Sequence, residues 1–197
     1  MKHLLFYISL CLFLFSCTFA NLPGFYSGYK LLIDEQKERV VRCDRPIEEL
    51  GNDGNVYVVD TAQMRAYLQR HDSVMVYDWG VNCHSEHCIS LPLFESLCKS
   101  HGVTPCIVKE YFQLDSLPSR EKVASPILFI DKSMYRTDYC NKYTKRFYGQ
   151  LTGTTMKERG YGRFHLFVEG RYVDTYGACT DGFAPSALSF KELKTTD

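Results

Sequence analysis

The sequence carries no excess of charge of either sign: Lys plus Arg and Asp plus Glu both number 23. A balanced chain has no basic footprint for nucleic acid and none for an anionic membrane surface. Internal repeats and low-complexity segments are absent, so no repeat architecture is indicated. The apolar run Leu4–Phe15 is too short to cross a bilayer as a mature helix. What remains is a chain long enough for one domain with a real core and an extension. It is rich in Tyr (14) and Phe (13).

That apolar run follows Lys2 and ends in Leu14-Phe15-Ser16-Cys17. A single positive charge ahead of a short apolar segment is the pattern of an export signal. The four residues at its end resemble the bacterial lipobox, in which the signal, here residues 1–16, is cut before a cysteine that becomes lipidated. Cys17 is that cysteine in this reading, and the protein then sits on the periplasmic face of a membrane through a lipid anchor. Ordinary secretion, with cleavage after Thr18-Phe19-Ala20, is the other reading. Both deliver the remainder outside the cytoplasm. Of nine cysteines, seven lie beyond Cys17. An oxidising compartment lets several pair, and an odd count leaves at least one thiol over.

Residues 17–54 read as an extended linker closing in Leu50-Gly51-Asn52-Asp53-Gly54. From there the pattern sharpens over 55–197. Val56–Val59, Val74–Tyr77, Cys106–Phe112 and Ile127–Ile130 are apolar runs of strand length. Asp60 or Thr61 caps a helix that presents Met64, Tyr67 and Leu68 on one face. A second helical stretch is expected from Cys83 to about Ser100, with Leu93, Phe94, Leu97 and Cys98 as its buried stripe. A polar helix bears Tyr139, Tyr143 and Phe147, and residues 185–194 suggest a short terminal one. Phe164–Val168, Glu169-Gly170 and Arg171–Tyr176 form a hairpin pattern. The order predicts an α/β sandwich whose mixed sheet starts parallel and ends in an antiparallel hairpin, with helices on both faces.

Over residues 55–190 the chain resembles the thioredoxin superfamily. Trp79, four residues before Cys83, matches the first tryptophan of the W-x-x-W-C-x-x-C signature of exported thioredoxin-like lipoproteins, with Asn82 where the second would stand. Ser125-Pro126 matches the cis-proline position beside the active cysteine. On the resemblance, Trp79, Ser125 and Pro126 contribute to substrate binding, and residues 134–162 are an insertion. The second cysteine is Cys88, so the spacing is C-x4-C. One branch of peroxiredoxins shares it, but Gly80 and Val76 replace the threonine and proline those enzymes need.

The resemblance implies a thiol-disulfide oxidoreductase acting on protein thiols and disulfides, with no cofactor. Cys83 would attack and Cys88 resolve. A cysteine at a helix N-terminus has its thiolate favoured. On an ideal helix Cα atoms five residues apart are about 8.7 Å from each other, beyond the roughly 7 Å limit of a disulfide. Closure of Cys83–Cys88 therefore requires a loop or an unwound first turn. A structural disulfide in a non-catalytic binding or scaffold protein is the competing reading. Cys83-His84-Ser85-Glu86-His87-Cys88 also packs four possible zinc ligands into six residues, but no second cluster completes a tetrahedral site, and no metal is expected. Cys98 and Cys106 read as buried small hydrophobes, whereas Cys43 and Cys179 are open to an accessory disulfide.

Overall fold

The computed structural model describes residues 25–80, 88–115, 117–119 and 122–183. Continuous apolar runs, buried on both faces, supply the inner strands of one seven-stranded sheet. Its strands are β1 (Val40–Arg42), β2 (Val56–Val59), β3 (Ser73–Asp78), β4 (Thr104–Lys109), β5 (Ile127–Ile130), β6 (Phe164–Val168) and β7 (Arg171–Tyr176). They lie in the order β1-β2-β5-β4-β3-β6-β7. The first five are mutually parallel, and β6 and β7 are antiparallel. The mixed α/β architecture with a parallel start and a terminal hairpin is thus as expected.

The helices are α1 (Asp34–Glu38), α2 (Thr61–Gln69), α3 (Leu91–Ser100), α4 (Cys140–Thr152) and α5 (Met156–Arg159). Asp60 caps α2 by accepting from the N–H groups of Ala62 and Gln63, while Gln63 returns a bond to the Asp60 N–H. This reciprocal box fixes where the helix begins. Side chains alternate across the sheet and define two apolar layers. On one face Val74, Val76, Val108, Leu128 and Phe167 meet Met64 and Leu68 of α2 and Tyr143, Phe147 and Leu151 of α4. On the other, Met75, Tyr77, Ile107, Phe129 and Phe164 meet Leu91, Phe94 and Cys98 of α3. Phe112, Leu114 and Val123, from the connection between β4 and β5, join this second layer.

Two expectations need correction. Residues 25–54 are not an extended linker: β1 adds a parallel edge strand to β2, and Leu32, Cys43, Ile47 and Leu50 are buried. Four apolar side chains at irregular spacing bury as well as a periodic set once the sheet edge offers a surface. Within residues 134–162, α4 supplies much of the cover of one sheet face. The second correction concerns the helix expected from Cys83. It starts only at Leu91, with Ser90 as its N-cap and Pro92 in its first turn. Ser90 Oγ accepts from the Leu93 N–H, and proline's fixed φ suits a helix start. Residues 1–24 and the helix suggested at 185–194 lie outside the described residues. So do Cys17 and Cys83.

Candidate functional site

The parallel strands end together at one edge of the sandwich, where open α/β sheets commonly bind ligands. β3 leads there through Asp78, Trp79 and Gly80 into the cysteine-bearing segment. Tyr77 holds the far side of that segment by donating its hydroxyl to the Ile89 carbonyl at 3.1 Å. Cys88 is half-buried and non-helical, two residues before the Ser90 cap. Among the described cysteines, Cys43, Cys98, Cys106, Cys140 and Cys179 are free and buried, whereas Cys88 is disulfide-bonded. The accessory disulfide considered for Cys43 and Cys179 is therefore not formed, because both thiols are packed into the core. Cys98 and Cys106 are the buried apolar residues expected of them.

Trp79 is half-buried on the α3 face, its ring 4.3 Å from the Lys109 ammonium. Lys109 is 1 % exposed, and burial pulls its pKa down to about 7. Its Nζ donates to the Gln113 carbonyl at 3.4 Å.

Ser125 and Pro126 are elsewhere. Tyr77 is level with Ile107, and Ile107 with Ile127. Trp79 lies two residues beyond this line and Ser125 two before it, so they are separated by about 13 Å along the strands and about 10 Å across two strand spacings. The parallel direction of β5 puts its entrance at the opposite end of the sheet from the exit of β3. No described peptide bond is cis, that before Pro126 included. The Ser125 N–H is already committed, donating to Glu95 Oε1 at 2.7 Å, and the Ala124 N–H donates to Oε2 at 3.1 Å.

The neighbour of β3 at its carboxyl end is instead the entrance to antiparallel β6. The Asp78 N–H donates to the Arg163 carbonyl at 2.8 Å, and Arg163 Nη1 donates to the Asp78 carbonyl at 3.0 Å. On the α4 face here a cavity of about 340 Å³ is lined by Asp78, Glu110, Tyr148, Arg159, Arg163 and His165, among others. Asp78 is half-buried, but its Oδ1 is closed off from solvent without a hydrogen-bond partner. Burial first, then the charge of Glu110, raises its pKa to about 7, against the pull of Arg163 and Arg159. Glu110 accepts from Thr144 Oγ1 at 2.8 Å. His165 is held neutral, its pKa driven down to about 3 by burial and then by Arg159. Its Nδ1 lies 2.7 Å from Thr175 Oγ1.

Sequence reasoning passed over Asp78, Glu110, Tyr148, Arg159 and Arg163. A signal for two of them existed. Val74–Asp78 and Cys106–Glu110 are runs that each end in a carboxylate, and the parallel register sets Asp78 opposite Val108, two residues before Glu110 and on the same face of the sheet.

Comparison of the chain with protein-family models, with curated proteins and with solved structures found no match. The protein is a mixed α/β sandwich with a cysteine-bearing segment and a charged cavity at the carboxyl edge of its parallel strands.

Proposed function

We propose that this chain is an exported, lipid-anchored thiol-disulfide oxidoreductase of thioredoxin-like type, acting on protein substrates through Cys83 and Cys88. The observation that carries the reading is the state of Cys88. It is disulfide-bonded on the segment leaving β3, while the five other described cysteines are buried free thiols. Cys83 is the partner this reading assigns. The sheet supports it too: β3 is an internal strand with parallel β4 on one side and antiparallel β6 on the other.

In the reductive direction the Cys83 thiolate attacks one sulfur of a substrate disulfide and expels the other as thiolate. The Cys88 thiolate then attacks the Cys83 sulfur and releases the second substrate thiolate. Two electrons pass to the substrate, and the Cys83–Cys88 bond is left. Because Cys88 precedes the helix, closing that bond does not require any turn of α3 to unwind. The same feature removes one activating effect. A helix dipole acts only within its first turn, and α3 begins eight residues after Cys83.

That loss favours a second reading, a binding or scaffold protein in which the disulfide simply closes the segment. Glutathione titration of the full chain, with mass spectrometry of trapped Cys83 and Cys88 peptides, separates the two. A reversible two-electron transition between about −120 and −270 mV supports turnover, whereas a bond resisting reduction below about −300 mV is structural. The anchor is tested by Cys17→Ala, which should release the protein from the membrane fraction. Among the described residues no helix is long and apolar enough to cross a membrane.

A further inference from the structure

We infer that the cavity on the α4 face is a binding site for a small monocarboxylate that also carries a hydrogen-bond donor, an α-hydroxy or α-amino acid, held by Arg159 and Tyr148. This inference is independent of the cysteine chemistry.

The case begins with three polar atoms. Arg159 is 7 % exposed and Tyr148 1 % exposed. Among the described residues neither Arg159 Nε nor the Tyr148 hydroxyl has a hydrogen-bond partner, and Asp78 Oδ1 has none either. All three residues line the same cavity. Leaving one buried polar group unpaired costs about 1–3 kcal/mol, so three around a single space are a substantial outlay that a ligand would offset. Two of the atoms are donors, an N–H and an O–H. The third, Asp78 Oδ1, accepts when ionised.

Geometry keeps the two donors in place. The Arg159 guanidinium lies 5.4 Å from the Tyr148 ring centroid, and its Nη1 is 3.5 Å from Thr152 Oγ1. The His165 ring packs 4.5 Å from that of Tyr148. A guanidinium edge and a phenol are the donors a planar carboxylate accepts from.

Charge and size narrow the ligand. With Asp78 ionised, Lys145, Arg159 and Arg163 exceed Asp78 and Glu110 by one charge around the cavity, a balance that one carboxylate meets and a phosphate dianion overshoots. At about 340 Å³ the space is at the small end of ligand pockets. Burial of Arg159 and Tyr148 requires the ligand to enter and excludes contact by a flat macromolecular surface. Asp78 Oδ1 then takes the ligand's own hydroxyl or amino donor.

The test is isothermal titration of the full chain with L-lactate, glycine, acetate and inorganic phosphate, repeated on Tyr148→Phe and Arg159→Lys. Saturable binding of lactate or glycine is expected, with acetate weaker for want of the donor and phosphate no tighter than acetate. Each variant should weaken the better ligand about tenfold or more, the loss of about one good charge-assisted hydrogen bond. Tyr148→Phe deletes a single unpartnered hydroxyl, so without ligand it should unfold at the parent's denaturant midpoint or above it. It therefore decides the matter even where Arg159→Lys does not fold. Failure of all four probes to saturate overturns the inference, as does tightest binding of phosphate or unchanged affinity in Tyr148→Phe.

Discussion

The Lys109 ammonium lies 4.3 Å from the centroid of the Trp79 ring, so a cation is buried at the point where β3 gives way to the cysteine segment. The ring face attracts it, while the second layer of apolar side chains denies it water.

Which effect wins can be measured. With a folded pKa of about 7 against an ordinary 10.5, Lys109 has lost between those values a proton that the unfolded chain still holds. Stability from this residue therefore rises with pH across that window. Lys109→Met should be more stable than the parent at pH 6, by about 1–4 kcal/mol if the outcome matches other buried charges replaced by apolar residues. The gap should shrink towards pH 10. Urea unfolding at pH 6, 8 and 10 checks this. A variant less stable at pH 6 would mean that the ring attraction exceeds the cost of desolvation.

Asp78 has the opposite sign. Its folded pKa is raised from 3.8 to about 7, so the folded state binds the extra proton, and stability falls as pH rises through that window. Asp78→Asn should match the parent at pH 4 and exceed it at pH 8 by about 1–4 kcal/mol. His165, lowered from 6.5 to about 3, loses stability as pH falls through its own window. The two overlap in opposite directions, so the wild-type profile alone conceals both. The difference between Asp78→Asn and parent, measured by denaturant unfolding across pH 4–8, isolates the aspartate.

These groups mark where the sequence stopped being readable. Periodicity located the cores of β2 to β7 and the faces of α2 and α4, because burial imposes the spacing directly. It left the start of α3 unfixed, since the stripe of Leu93, Phe94, Leu97 and Cys98 lies wholly after the Ser90 cap and Pro92 that set it. Pairing order was less accessible still. β5 lies between β2 and β4, and this non-sequential placement carries Ser125 and Pro126 away from Trp79. Arg159 and Tyr148 meet Asp78 only through that order, from positions at least 70 residues away in the chain.

The thiols should divide sharply in reactivity. Burial pushes the pKa of Cys140 up to about 11 and those of Cys106 and Cys179 up to about 12. Those of Cys98 and Cys43 are also raised, with burial the leading cause. After mild reduction of the native protein at pH 8, iodoacetamide should label Cys88 well before any of these five, and all should react after unfolding. Peptide mapping against time gives the order. Early labelling of Cys140, which lines the cavity, would show that the cavity admits reagent and that the thiolate is accessible there.

Gly162 is a steric prediction in the backbone itself. A Cβ at this position would lie 2.3 Å from the Tyr176 carbonyl oxygen and 2.6 Å from its carbon, closer than any real contact. Backbone atoms cannot rotate aside as a flexible side chain can. Tyr176 is paired with Phe164 across the hairpin, so relief demands that β6 and β7 shift together. Gly162→Ala should cost about 1–3 kcal/mol or more, the range of overpacked core sites. It should also weaken any ligand of the cavity, because Gly162 and Arg163 form part of its wall. Gly51 is the control: a Cβ there meets nothing within 4 Å, and Gly51→Ala should stay within about 0.5 kcal/mol of the parent. Denaturant unfolding of both variants decides it. Equal stabilities would mean that the hairpin yields at this point, and that the cavity wall is softer than its packing indicates.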